Sequence, residues 1–108
     1  MAKSLETSRI ELHEKLIEVL GSNNVYFQPP ETEKMKYPAI LYDLYRVQQR
    51  FAGDISYKKS PAWSVTIIDR NEDVDWVYKM LDAFSYCSME RTYKADNLAH
   101  YAFIVYYS

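Results

Sequence analysis

Leu5, Leu12, Leu16, Val19 and Leu20 recur at helical spacing along one face, with Ile10 and Ile17 beside them, while Glu11, Glu14, Lys15 and Glu18 fall mostly on the other side. Gly21 stands where a left-handed C-terminal cap is wanted, so the pattern predicts a helix over residues 5–20, about 24 Å long at 1.5 Å per residue. Beyond it the period changes. "NNVYF" predicts a short strand stopped by Pro29 and Pro30, and "ETEKMKY" an exposed loop. "AILYDLYRVQQRF" is rich in β-branched and aromatic residues and predicts a long strand. Residues 52–61, with a glycine, a proline and two lysines, predict a solvated loop. In "AWSVTIIDR", Trp63, Val65 and Ile67 share one face of a third strand.

Residues 71–84 predict a second helix, with Asn71 as its cap and Glu72, Asp73 and Asp75 at the positive end of its dipole. Trp76, Val77, Met80, Leu81 and Phe84 supply its apolar face. "YCSMERTYK" and "NLAHYAFIVYY" then predict two strands joined by a turn at Ala95, Asp96 and Asn97. Runs of strands with two helices added point to an α+β fold: one domain spanning residues 1–108, with a largely antiparallel sheet of four to five strands and two packed helices.

The last strand is apolar on both faces. Ala102, Ile104 and Tyr106 point one way, and Tyr101, Phe103, Val105 and Tyr107 the other. Ile40, Tyr42 and Leu44 oppose Leu41 and Tyr45 in the same manner. A sheet with one wet side alternates apolar with polar, so two helices packed on one face would leave the other in need of a partner subunit.

Composition narrows the function classes. A chain of 108 residues builds one core but not a deep substrate cleft as well. The 13 basic against 15 acidic residues are spread along the chain, which argues against direct contact with nucleic acid. No apolar run is long enough for a signal peptide or a membrane span, so the expectation is a soluble chain made in a cytoplasm. The two glycines predict few tight hairpins and longer connections, whereas the 11 tyrosines suit contact with other proteins.

The candidate chemistry is sparse. Cys87, the only cysteine, could meet His100 on a neighbouring strand, but no third group orients such a pair, and a buried structural thiol is the plainer reading. Asp69, Glu72, Asp73 and Asp75 could hold a hard cation, yet a dipole-complementing helix start accounts for all but Asp69. His13 reads as a solvated helix residue. Arg46, Arg50, Tyr57, Lys58 and Lys59 form a small basic patch suited to phosphate or to an ordering contact with protein. With no phosphate loop, GxSxG or HExxH motif, neither catalysis nor a cofactor or metal is expected.

Residues 37–107 resemble the tail terminator and tail-completion proteins of long-tailed bacteriophages. The resemblance rests on "YPAILY", on "VTIID" leading into an acidic helix start, and above all on "CSMERTYKADNLAHYAFIVYY", where Cys87, Arg91, Tyr93, Asp96, Asn97 and the aromatic last strand keep their order. It implies a non-enzymatic virion protein, assembled in the host bacterial cytoplasm, whose copies form a ring, expected to be hexameric, at the head-proximal end of the tail tube. Such a ring ends tube growth and joins the tail to the head connector; a head-completion or connector-side neck protein is the alternative. Under this reading the interface residues would be Tyr42, Tyr45, Arg46, Arg50, Tyr57, Lys58, Lys59, Arg91, Tyr93, Asp96, Asn97, Tyr101 and Tyr107, with the tail tube protein and the head–tail connector as partners besides other copies.

Overall fold

The computed structural model describes residues 4–28, 35–52 and 55–107, with side chains described except at 48–52 and 55–60. Pro29, Pro30 and most of the expected "ETEKMKY" loop therefore lie outside the described residues. Among the described residues, two helices and five strands follow one another as α1 (Leu5–Leu20), β1 (Val25–Phe27), β2 (Ala39–Ala52), β3 (Ile55–Asp69), α2 (Asp75–Ala83), β4 (Cys87–Ala95) and β5 (Leu98–Tyr106). They form an α+β domain with a single mostly antiparallel sheet, in the order β1-β2-β3-β5-β4; only β1 runs parallel to its neighbour.

Helix α1 begins and ends for local reasons. The Ser4 hydroxyl accepts a hydrogen bond from the Thr7 amide at 3.1 Å, and Gly21, at φ +81°, donates its amide to the Ile17 carbonyl at 2.8 Å. Its buried stripe is Ser8, Leu12, Leu16 and Leu20, a clean i, i+4 row. Leu5 and Ile10, expected in or beside the apolar face, are exposed because the row over the sheet is narrower than the sequence pattern.

Helix α2 is shorter than residues 71–84 predict. Its cap position is Val74, with no capping side chain, instead of Asn71. The carboxylates upstream act earlier: Asp69 accepts the Asn71 amide at 3.2 Å, and Asp73 accepts the Asp75 amide at 3.0 Å, so the acidic run builds the turn into the helix. Trp76, Met80 and Phe84 are buried, whereas Leu81 is exposed.

Of the expected loop at 52–61, residue 52 and residues 55–61 are strand instead, and residues 53 and 54 lie outside the described residues. β2 continues to Ala52, β3 starts at Ile55, and the two pair down to Ala52 opposite Ile55. Cross-strand pairing outweighs the local turn preference of serine and lysine at 56–60. Pro61 is tolerated because β3 pairs with β5 only from Ala62 onward, so the position lacks a sheet neighbour on that side, and its carbonyl still accepts the Tyr107 amide at 3.3 Å. The scarcity of glycine does not prevent a tight turn between β4 and β5 either. Asp96 and Asn97 take φ +54° and +62°, the left-handed pair that a two-residue hairpin requires and that Asp and Asn tolerate better than other side chains.

Both helices pack on one face of the sheet. Leu12, Leu16 and Leu20 from α1 and Trp76, Met80 and Phe84 from α2 close over Ile40, Tyr42, Trp63, Val65, Ile67, Tyr101, Phe103 and Val105. The other face receives neither helix, and its rows read Leu41–Thr66–Ala102 and Asp43–Ser64–Ile104 across the central strands. It is more polar than β5 alone suggests, because β3 interposes Ser64 and Thr66 between the apolar positions of its neighbours. Arg46 donates to the Tyr106 hydroxyl at 3.0 Å on this face.

Candidate interaction surface

The sequence-predicted interface residues separate into four groups. Tyr42 and Tyr101 are corrections: both lie in the core and cannot present a surface to a partner. Their hydroxyls reach local polar groups. Tyr101 accepts the Asp73 amide at 2.9 Å and fixes the entry to α2. Tyr42 lies 2.6 Å from His13 Nδ1 and accepts from the Arg9 guanidinium at 3.2 Å, so His13 is half-buried against the sheet instead of being solvated. Burial, followed by the neighbouring positive charge of Arg9, pushes the His13 pKa down. A neutral imidazole can then accept the Tyr42 hydroxyl proton.

Tyr45, Arg46, Arg91 and Tyr93 form the second group and are exposed. Arg91 stands 4.7 Å over the Tyr93 ring, and Tyr93 stacks on His100 with ring centroids 4.6 Å apart, making a planar column across β4 and β5. His100 Nδ1 sits 3.0 Å from the Leu98 carbonyl, which fixes that nitrogen as the protonated one. Asp96, Asn97 and Tyr107 form a third group with structural duties. The first two make the β4–β5 turn, and Tyr107 packs edge-on against Phe84 while its carbonyl accepts the Trp63 indole N–H at 3.1 Å. Of Arg50, Tyr57, Lys58 and Lys59, only strand position and register are described; Arg50 lies opposite Lys58, and Gln49 opposite Lys59.

The chemical alternatives lose their geometry. Cys87 pairs in register with Val105 and His100 with Tyr93, so the two lie several rungs and roughly 15–20 Å apart and on opposite faces of the sheet. Desolvation raises the Cys87 pKa to about 11, which keeps the sulfur a protonated thiol near neutral pH. The acidic cluster also disperses. Asp69 is buried and accepts the Trp76 indole N–H at 2.9 Å, Glu72 pairs with Lys94, and no group of three metal-ligating side chains converges among the described residues. No helix among them is long and apolar enough to cross a membrane.

Sequence reasoning missed the most conspicuous apolar surface. Val74, Tyr78 and Leu81 form an exposed i, i+4, i+7 stripe on α2, followed by Tyr86 and Met89; Val74 and Tyr78 are 69% and 68% exposed. Between α2 and β4 this stripe borders an open depression of about 610 Å³ whose walls include Val74, Val77, Tyr78, Met89, Thr92 and Tyr101. Glu72 and Lys94 bridge one end of it. The available signal was that apolar residues encircle α2 on both the Trp76/Met80 and the Val74/Tyr78/Leu81 sides, more than one sheet face can bury.

Beyond the five-stranded part of the sheet, β2 and β3 run on without strand neighbours among the described residues. β1 pairs with β2 only from Ile40 to Tyr42, and β5 with β3 only from Ala62 to Asp69. The remaining rungs, from Val47 opposite Pro61 to Ala52 opposite Ile55, form a two-stranded arm of about 20 Å. This arm contributes to a molecule 50 Å long and only 25 by 22 Å across. Compared with known proteins, the chain matches no family model and no curated relative.

Proposed function

We propose that this protein is a non-enzymatic structural subunit of a long-tailed phage neck, a tail terminator whose copies form a ring on the head-proximal end of the tail tube. The observation that carries the reading is that both helices pack on one sheet face while the apolar α2–β4 depression, with Val74 and Tyr78 largely exposed beside it, and the β2–β3 arm have no covering element among the described residues. A protein built for a solitary existence buries such surfaces; a subunit keeps them for its neighbours. Residues 37–107, which carry the resemblance to tail terminator and tail-completion proteins, include the arm and the β4–β5 hairpin, so the resemblance and the uncovered surfaces fall on the same part of the chain. The sparse chemistry agrees: the thiol is desolvated and distant from His100, and Asp69, Asp73 and Glu72 are engaged in the turn into α2 and in pairing with Lys94.

The test is native mass measurement and electron microscopy of the purified protein, alone and mixed with tail tubes lacking their terminator. Rings seated on one end of the tubes, with tube length held fixed, are the expected result. A monomer that neither binds nor caps tubes would overturn the proposal, and binding to the head connector with no affinity for tubes would move the protein to the head side of the neck.

A further inference from the structure

β4 is the outermost strand of the sheet, bonded only to β5, and its residues from Ser88 to Ala95 are all exposed. Which of its backbone groups face β5 follows from two fixed points. At one end the Tyr106 amide donates to the Tyr86 carbonyl at 2.9 Å; at the other, Ala95 opposite Leu98 closes the two-residue turn. Bonded and non-bonded rungs alternate between them, and with Glu90 as the extra residue of a bulge both ends give the same phase. The N–H and C=O groups of Met89, Thr92 and Lys94 therefore point out of the sheet edge, where no strand among the described residues meets them. Apolar side chains gather beside the same edge. Among the described residues, six of the ten exposed large hydrophobic side chains fall between Val74 and Tyr93, so the uncovered apolar surface is concentrated there and not scattered.

From this placement we infer that two copies of the chain pair through β4, antiparallel, about a two-fold axis at Thr92. Thr92 then exchanges both backbone bonds with its own counterpart, and Lys94 meets Met89 of the second copy, so each outward-pointing position finds another that also points outward. Tyr93 falls opposite the Glu90–Arg91 bulge. An axis at Tyr93 pairs fewer rungs and sets Met89 against the turn residue Asp96, and an axis at Lys94 brings two ammonium groups together. Charge along the edge does not resist the pairing, because Glu90 is adjoined by Arg91 and Lys94 is held by Glu72. The axis is normal to the sheet, which keeps both α2 helices on one side with their Val74, Tyr78 and Leu81 stripes facing across the joined edge. These three side chains and Met89 leave roughly 400 Å² exposed per copy, the size of patch that marks a contact site. With the β4 backbone added, the pair covers about 1,200 Å² in total, the lower end of specific interfaces. The inference goes beyond the ring reading and does not rest on it: a two-fold patch closes at two copies and leaves the β1 edge of the sheet outside the contact.

The experiment is sedimentation velocity of the full-length protein over a micromolar concentration series, joined to disulfide trapping. A dimer is expected, and in a Cys87→Ser background Thr92→Cys should cross-link to itself under mild oxidation, since facing residues of a bonded rung lie about 5.5 Å apart at Cα. Tyr93→Cys in the same background should cross-link far less. Thr92→Pro removes an outward N–H, a change that an edge strand accepts, and Tyr78→Glu sets two carboxylates face to face; each should weaken the dimer at least about 10-fold while the thermal melt shows the fold retained. Should Thr92→Pro fail to fold, Tyr78→Glu on the exposed side of α2 decides alone. A monomer at every concentration without the Thr92 cross-link would overturn the inference and leave the edge to an extended segment of another protein. A dimer indifferent to Tyr78→Glu, or one trapped through Tyr93→Cys and not Thr92→Cys, would overturn it as well. Rings that cap tubes without any Thr92 cross-link would overturn it and leave the ring reading intact.

Discussion

Replacing Asp69 by alanine tests whether the acidic run before α2 is an element of folding or a cation site. Asp69 is 9% exposed, and its carboxylate accepts two N–H groups, the Trp76 indole at 2.9 Å and the Asn71 amide at 3.2 Å. Hydrogen bonds to a charged acceptor contribute about 1.5–3 kcal/mol, and the buried indole N–H left without a partner adds a desolvation cost of its own. Because the Asn71 bond is long and lies near the surface, Asp69→Ala is expected to cost about 2–3 kcal/mol in all. For a chain of this size each kcal/mol lowers Tm by roughly 4–6 °C, so the melt should fall by about 10–15 °C. Asp69→Asn keeps one oxygen for the indole and should lose only about 1 kcal/mol. Urea unfolding of Asp69→Ala, Trp76→Phe and the double variant gives the coupling between the two side chains, expected near 1.5 kcal/mol. A cost below about 0.5 kcal/mol for the alanine variant, or no coupling with Trp76, would refute the assignment of α2 docking to this bond. Calcium or magnesium raising the melting temperature of the unmodified protein would refute it from the other side, by showing the carboxylates free to take an ion.

Further expectations follow from the same geometry. With its pKa moved from 9.0 to about 11, Cys87 presents roughly a hundredth of the thiolate of an unperturbed cysteine near neutral pH, so iodoacetamide should label the folded protein about 100-fold more slowly than the urea-unfolded chain; comparable rates would contradict its burial. His13 has a depressed pKa in the folded state, so the unfolded chain takes up the proton first and the stability it supports, present above its ordinary pKa of 6.5, declines as pH falls through that value; His13→Gln should remove this part of the pH dependence measured by thermal melts, and an unchanged profile would count against the Tyr42 contact. At the β4–β5 turn, Asn97→Gly should leave stability within about 0.5 kcal/mol while Asn97→Val costs about 1–2 kcal/mol, because only the second pays the steric penalty of a positive φ; equal stabilities by urea titration would show that the turn relaxes.

The sequence by itself determined what depends on neighbours along the chain. The extent of α1 follows from its apolar spacing and Gly21, the order of helices and strands from the change of period, and the turn at Asp96 and Asn97 from residues able to adopt left-handed backbone. The shared face of Trp63, Val65 and Ile67 follows from strand alternation alone. Only the tertiary structure decided where those faces meet. Tyr42 and Tyr101 look like surface aromatics until α1 and α2 cover them, and Leu81 looks like core until the sheet proves too narrow to hold it. The arm was hidden because serine and lysine at 56–60 carry a turn preference that pairing with a long β2 overrides, and cross-strand registry is a property of two segments at once. The same holds for Cys87 and His100: their separation along β4 and β5 is set by register, and a shift of one residue would have moved every side chain to the opposite face.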